Sequence, residues 1–117
     1  MRNVVILLMF SALTLVSCSS FVEKEKIPVL KDYEKYEYIL KKEVSIGNRT
    51  LAVGDNIRLH IVVGDEWIKV YGYNAGSDPL QAQRLLILYL FEDDFTEERF
   101  SMEFFDKKLS ELVKRKK

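Results

Sequence analysis

The chain predicts a mainly β, α+β fold: a small curled antiparallel sheet, or an SH3-like partly open barrel, closed by a C-terminal α-helix. Three observations predict it. Asn56–Val63 alternates strictly, with Ile57, Leu59, Ile61 and Val63 on one face and Asn56, Arg58 and His60 on the other, the period of a half-buried strand. Turn pairs at Gly47-Asn48, Gly54-Asp55 and Gly64-Asp65 recur at hairpin spacing. From Ser101 onward the apolar period changes from two to that of a helix.

Each element follows from its own pattern. Residues 36–46 read as a strand with Leu40, Val44 and Ile46 on one face and Lys41, Glu43 and Ser45 on the other. Lys42 falls on the apolar face, which places that end near a sheet edge. After Gly47-Asn48 comes a short strand at residues 50–53, then Gly54-Asp55 and the strand Asn56–Val63. Gly64-Asp65 makes Trp67–Asn74 its hairpin partner, with Ile68 and Val70 on one face and Lys69, Tyr71 and Tyr73 on the other. Residues 75–83 contain Gly76, Ser77, Asp78 and Pro79 and read as a loop. The run Leu85-Leu86-Ile87-Leu88-Tyr89-Leu90-Phe91 fits a strand covered on both faces. Ser101 is a helix N-cap with Glu103 in the first turn. Met102, Phe105, Leu109, Leu112 and Val113 form its apolar stripe, and Lys114 to Lys117 finish it where cations suit the dipole.

The N-terminus has a different texture. Arg2 precedes an apolar stretch from Val4 to Val16, interrupted by Ser11 and Thr14. The stretch has the length of a signal-peptide core and falls short of the roughly 20 residues a spanning helix needs. It closes on Leu15-Val16-Ser17-Cys18, and Cys18 is the sole cysteine, so no disulfide forms within the chain. Residues 1–17 are expected to be cleaved, leaving about 100 residues, a single domain's worth. Residues 18–35 hold Glu23, Lys24, Glu25, Lys26, Pro28, Lys31, Asp32, Glu34 and Lys35 with scattered apolar positions. They read as a charged tether, with a short helix around residues 31–38 as the alternative. Residues 36–117 are then one small β-rich domain with its C-terminal helix.

Composition narrows the function classes. Eighteen basic and eighteen acidic side chains balance, and no basic stripe interleaved with aromatics appears, so no nucleic-acid partner is expected. His60 is the only histidine; without a second His or a Cys partner it reads as a solvated strand residue, and no metal or other cofactor is expected. Asp93, Asp94, Glu97 and Glu98 match no calcium loop and read as a solvated turn. No nucleophile–base pair can be named, so the chain is not expected to be an enzyme. Trp67, Tyr71 and Tyr73 are the residues offered as a partner-binding surface. In a small barrel the same face could equally be core.

Leu15-Val16-Ser17-Cys18 resembles the bacterial lipobox. The resemblance implies that Cys18 becomes the N-terminus and carries diacylglycerol and an acyl chain, a palmitate-type anchor. Two or three chains hold a protein where one holds it only marginally. Ser19, in place of an Asp, favours the outer over the inner membrane by the sorting pattern of two-membrane bacteria. Residues 83–100, with Cys18 and the block 51–73, resemble the small Leptospira lipoproteins associated with the type II secretion system. That resemblance implies a partner in the secretion machinery. The centre of the chain reads as strands and departs from helical pilotins, so a pilotin role does not carry over. The expected function is therefore a non-enzymatic, membrane-anchored envelope lipoprotein that acts by protein–protein binding. The alternative is a surface-exposed ligand-binding module, an adhesin or a carbohydrate or peptide binder.

Overall fold

The computed structural model describes residues 21–78, 80–95 and 100–116. The signal segment and Cys18 lie outside the described residues, as do Glu97, Glu98 and Lys117.

Five strands form one antiparallel sheet: β1 (Glu37–Leu40), β4 (Asn56–Val63), β5 (Trp67–Asn74), β6 (Leu85–Phe91) and β7 (Val113–Arg115), ordered β6-β5-β4-β1-β7. A hairpin of β2 (Val44–Ile46) and β3 (Arg49–Leu51) makes a separate two-stranded sheet. The main sheet does not close, so the mainly β, α+β expectation is met by an open sheet with helices. The helices are α1 (Ile27–Asp32), flanked by 3-10 turns at Lys24–Lys26 and Tyr33–Lys35, and α2 (Met102–Ser110).

The hairpin β4–β5 forms where its pattern requires. Ile61 pairs with Val70 and Val63 with Ile68, which keeps one aliphatic face on one side of the sheet. On this inner face Ile57, Leu59, Ile61, Ile68, Val70, Leu85 and Leu90 are buried, with Phe105 and Leu109 of α2 in the same core. Gly72 sits opposite Leu59 there, and a Cβ on it would press against Ile57 at 3.2 Å and Ile87 at 3.4 Å. The turn before β4 depends on Gly54, whose φ is +94°, a conformation side chains resist. Asp55 Oδ2 accepts from the Ala52 N–H at 2.8 Å and holds that turn.

Four expectations are corrected. The segment read as a charged tether is folded from Phe21 onward: Val22 and Leu30 are completely buried, and Pro28 sits in the first turn of α1. Its apolar residues are too widely spaced to show a period, and only the sheet supplies the surface that buries them. The single strand at 36–46 is broken into β1 and β2. Lys41 leaves the ladder, its N–H donating to the Leu112 carbonyl at 2.7 Å and its Nζ to the Ser110 carbonyl at 2.8 Å. The C-terminal helix stops at Ser110, and Val113, Lys114 and Arg115 form β7 against β1. Its start is as expected, with Ser101 Oγ accepting from the Phe104 N–H at 3.3 Å. Finally, β6 is not covered on both faces; it is an edge strand, and Tyr89 and Phe91 are exposed.

Among the described residues, no strand pairs with β4 on its β1 side beyond Arg58. The N-terminal segment fills that place. Ile61 donates its N–H to Glu34 Oε2 at 2.7 Å, and its carbonyl accepts from Lys31 Nζ. Arg58 Nη1 reaches the Lys35 carbonyl at 3.5 Å. Side chains thus substitute for ladder bonds, which satisfies the strand and blunts its edge.

Candidate functional site

Trp67, Tyr71 and Tyr73 share the outer face of β5, as the alternation requires, but they do not form one exposed surface. Tyr73 is only 7% exposed, with the Arg84 guanidinium 5.8 Å from its ring. Tyr71 pairs across the hairpin with His60, their rings 6.2 Å apart, and is half-buried. His60 lies 3.7 Å from Glu34 Oε2. Burial and then the Arg84 charge pull its imidazole below its ordinary pKa, against the opposing pull of Glu34.

Trp67 belongs to another group. On the outer face it pairs with Phe91, and Lys69 pairs with Tyr89 one row further in. The Trp67 and Tyr89 rings meet edge-on at 6.4 Å, and the Tyr89 and Phe91 rings lie 4.6 Å apart. Lys69 Nζ sits over both Trp67 (4.6 Å) and Tyr89 (5.1 Å), so its charge is held by ring faces. Gly64 makes room for the indole: a Cβ there would fall 2.3 Å from the Trp67 ring. Tyr89 and Phe91 keep 40% and 47% of their surface in solvent. The result is an aromatic strip along one edge of the sheet. Sequence reasoning found Trp67 and missed Tyr89 and Phe91, because an apolar run does not say whether it is central or at an edge. Their i, i+2 spacing with Trp67's hairpin was the available signal.

The lower end of the strip is tied to the N-terminus. Phe21 donates its N–H to the Asp65 carbonyl at 2.8 Å, and Glu92 donates its own to the Glu66 carbonyl at 2.8 Å. Phe21 packs edge-on against Phe95 at 5.0 Å and Phe100 at 5.9 Å.

A second concavity, of about 330 Å³, lies among α1, β1, β7 and α2, lined by Tyr33, Tyr36, Tyr38, Asp32, Asp106 and Arg115. Tyr33 Oη donates to Asp106 Oδ1 at 2.9 Å. Burial, and then that acceptor, hold the Tyr33 phenol well above its usual range. Burial pushes Tyr38 up to about 12. Arg115 stacks 3.6 Å over the Tyr36 ring and occupies the aromatic wall itself.

Among the described residues, no group of three or more His, Cys, Asp or Glu side chains is placed to hold a metal ion, and no helix is long and apolar enough to cross a membrane. Asp94 caps its own turn, Oδ2 accepting from the Phe91 N–H at 2.8 Å. Comparison with protein-family models, with curated proteins and with solved structures gave no match.

Proposed function

We propose that this chain is a lipid-anchored envelope protein that works by binding a protein partner through the outer face of β5–β6. The observation that carries the reading is the aromatic strip of Trp67, Tyr89 and Phe91 on the outer face of β5–β6, in which Trp67 is half-buried and Tyr89 and Phe91 are exposed. Large rings with little side-chain entropy to lose are what binding surfaces concentrate. The lipobox-like Leu15-Val16-Ser17-Cys18 supports anchoring, with the outer membrane as destination. The resemblance of residues 83–100 to secretion-associated lipoproteins supports a type II secretion component as the partner.

The test has two parts. Radioactive palmitate should label the wild-type chain and not Cys18→Ala, which should also leave the membrane fraction; equal labelling of the two overturns the anchor. A photo-crosslinking residue at Phe91 should yield one dominant adduct with an envelope protein, lost on Trp67→Ala. Digestion by protease added outside intact cells would favour the surface-exposed ligand binder instead.

A further inference from the structure

We infer that the concavity among α1, β1, β7 and α2 binds a small zwitterion, a free α-amino acid with an apolar side chain. It lies at the β7 end of the sheet, the opposite end from the strip on β5–β6.

A buried hydroxyl points to a ligand there. Tyr38 is 4% exposed and lines the cavity, yet its hydroxyl has no hydrogen-bond partner among the described residues. Its neighbour Tyr33 spends its own hydroxyl on Asp106. Burial acts most on the Tyr38 phenol, and after it come Arg115, Asp106, Tyr36 and Asp32. All four line the same cavity, so the hydroxyl end of Tyr38 faces it. A buried donor without an acceptor costs free energy that an oxygen of a ligand restores.

The cation beside it is also unmatched. Arg115 is the cross-strand partner of Tyr38, so both stand on the inner face of the sheet. Its guanidinium lies over the Tyr36 ring, 3.6 Å from the ring centre, and makes no ion pair among the described residues. A guanidinium held over a ring keeps the N–H fork at its edge open, and that fork matches a carboxylate. One carboxylate can therefore accept from Arg115 and from the Tyr38 hydroxyl together.

The remaining charges ask for an ammonium. Asp32 and Asp106 are the anions of the lining, and Arg115 is its cation. Asp32 is paired with Lys35 at 3.1 Å. Asp106 accepts from the Tyr33 hydroxyl at 2.9 Å and makes no ion pair among the described residues. Arg115 and Asp106 thus border one cavity as opposite charges that do not meet. A simple anion would leave Asp106 facing a like charge, and a simple cation would do the same to Arg115. A zwitterion answers both, with its carboxylate at Arg115 and Tyr38 and its ammonium at Asp106. Buried Leu109 and Val113 supply the apolar part of the lining, with Val29, so the third substituent is apolar. A volume of about 330 Å³ is at the small end of ligand sites and suits a single amino acid.

The probe is L-leucine, titrated calorimetrically into the full chain in detergent micelles. Leucine amide, which lacks the carboxylate, and N-acetyl-leucine, which lacks the ammonium, are titrated beside it. Expected is saturable heat from leucine, with each derivative bound at least about tenfold more weakly because a charged hydrogen bond is lost. Tyr38→Phe keeps the ring and should weaken leucine binding by about tenfold. The urea midpoint of the free Tyr38→Phe chain should stay unchanged or rise, since the hydroxyl removed has no protein partner. Arg115→Gln, at an exposed position of β7, should weaken leucine and leave leucine amide unaffected. Asp106→Asn keeps an acceptor for Tyr33 and should weaken leucine while leaving N-acetyl-leucine unaffected. No saturable heat from leucine, valine or phenylalanine overturns the inference and assigns the cavity to water. Equal binding of leucine and either derivative overturns it, as does unchanged leucine binding by Tyr38→Phe. A lowered urea midpoint for Tyr38→Phe would give the hydroxyl a bond within the fold and overturn it as well.

Discussion

The edges of β4 and β6 meet the same physical demand in opposite ways. Beyond Arg58, β4 is closed by Glu34 and Lys31, which take the N–H and carbonyl of Ile61, and by the buried Leu30 behind them. The β6 edge has one local cap, Asp94 on Phe91, and otherwise faces a groove and a row of rings. An open, apolar edge is a liability for aggregation unless something is meant to cover it. The N-terminal segment covers the stretch of β4 that β1 does not reach, whereas β6, an edge strand of the sheet, has no such cover among the described residues.

The comparison can be broken most forcefully at its buried support. Leu30→Ala should cost about 2–5 kcal/mol of stability in urea unfolding, the range for emptying a fully buried leucine site. No change would mean that the segment is a loose tether after all. Next comes the seal itself. Glu34→Ala should cost about 1–3 kcal/mol, because the Ile61 N–H loses its acceptor in a partly buried place. The same variant should associate in a concentration-dependent way in sedimentation, since it bares a second edge. On the open edge the order of effects reverses. Phe91→Ser should change stability by no more than about 0.5 kcal/mol, as an exposed surface substitution does, yet remove the partner crosslink. A large loss of stability there would show that the strip serves the fold.

The smallest effect is that of pH. His60 has a folded-state pKa below its ordinary value, chiefly through burial. Between the folded value and about 6.5 the unfolded chain binds more protons than the folded one. His60 therefore contributes fully above that window, and stability falls as pH drops through it. Urea midpoints should decline slightly on acidification from neutral pH, and His60→Gln should flatten the decline. An unchanged slope would separate His60 from the Glu34 seal beside it.

Legibility in the sequence followed the range of each interaction. The bounds of β4 and β5, the turn between them and the Ser101 cap were readable because each is set by neighbours a few residues away. The end of α2 was not: Leu112 and Val113 continue the helical stripe, and β7 forms there because β1 offers a ladder to Val113, Lys114 and Arg115. Phe21, Val22 and Leu30 were hidden among charges, since burial depends on a surface assembled from distant strands. Of the candidate site, Trp67 was legible as an aromatic on the polar face of a strand, whereas the burial of Tyr73 and the exposure of Tyr89 and Phe91 depended on strand order.

By itself, then, the sequence determined the class of fold, the register of the central hairpin and the lipobox-like setting of Cys18, because local periodicity and covalent signals need no partner. Only the tertiary structure decided which edge is sealed and which is open, that the charged N-terminal segment does the sealing, and that Trp67 joins Tyr89 and Phe91 in place of Tyr71 and Tyr73. Those are questions of which strand lies beside which. A period of two states that a strand has two faces; the neighbours it acquires determine what each face and each edge meets.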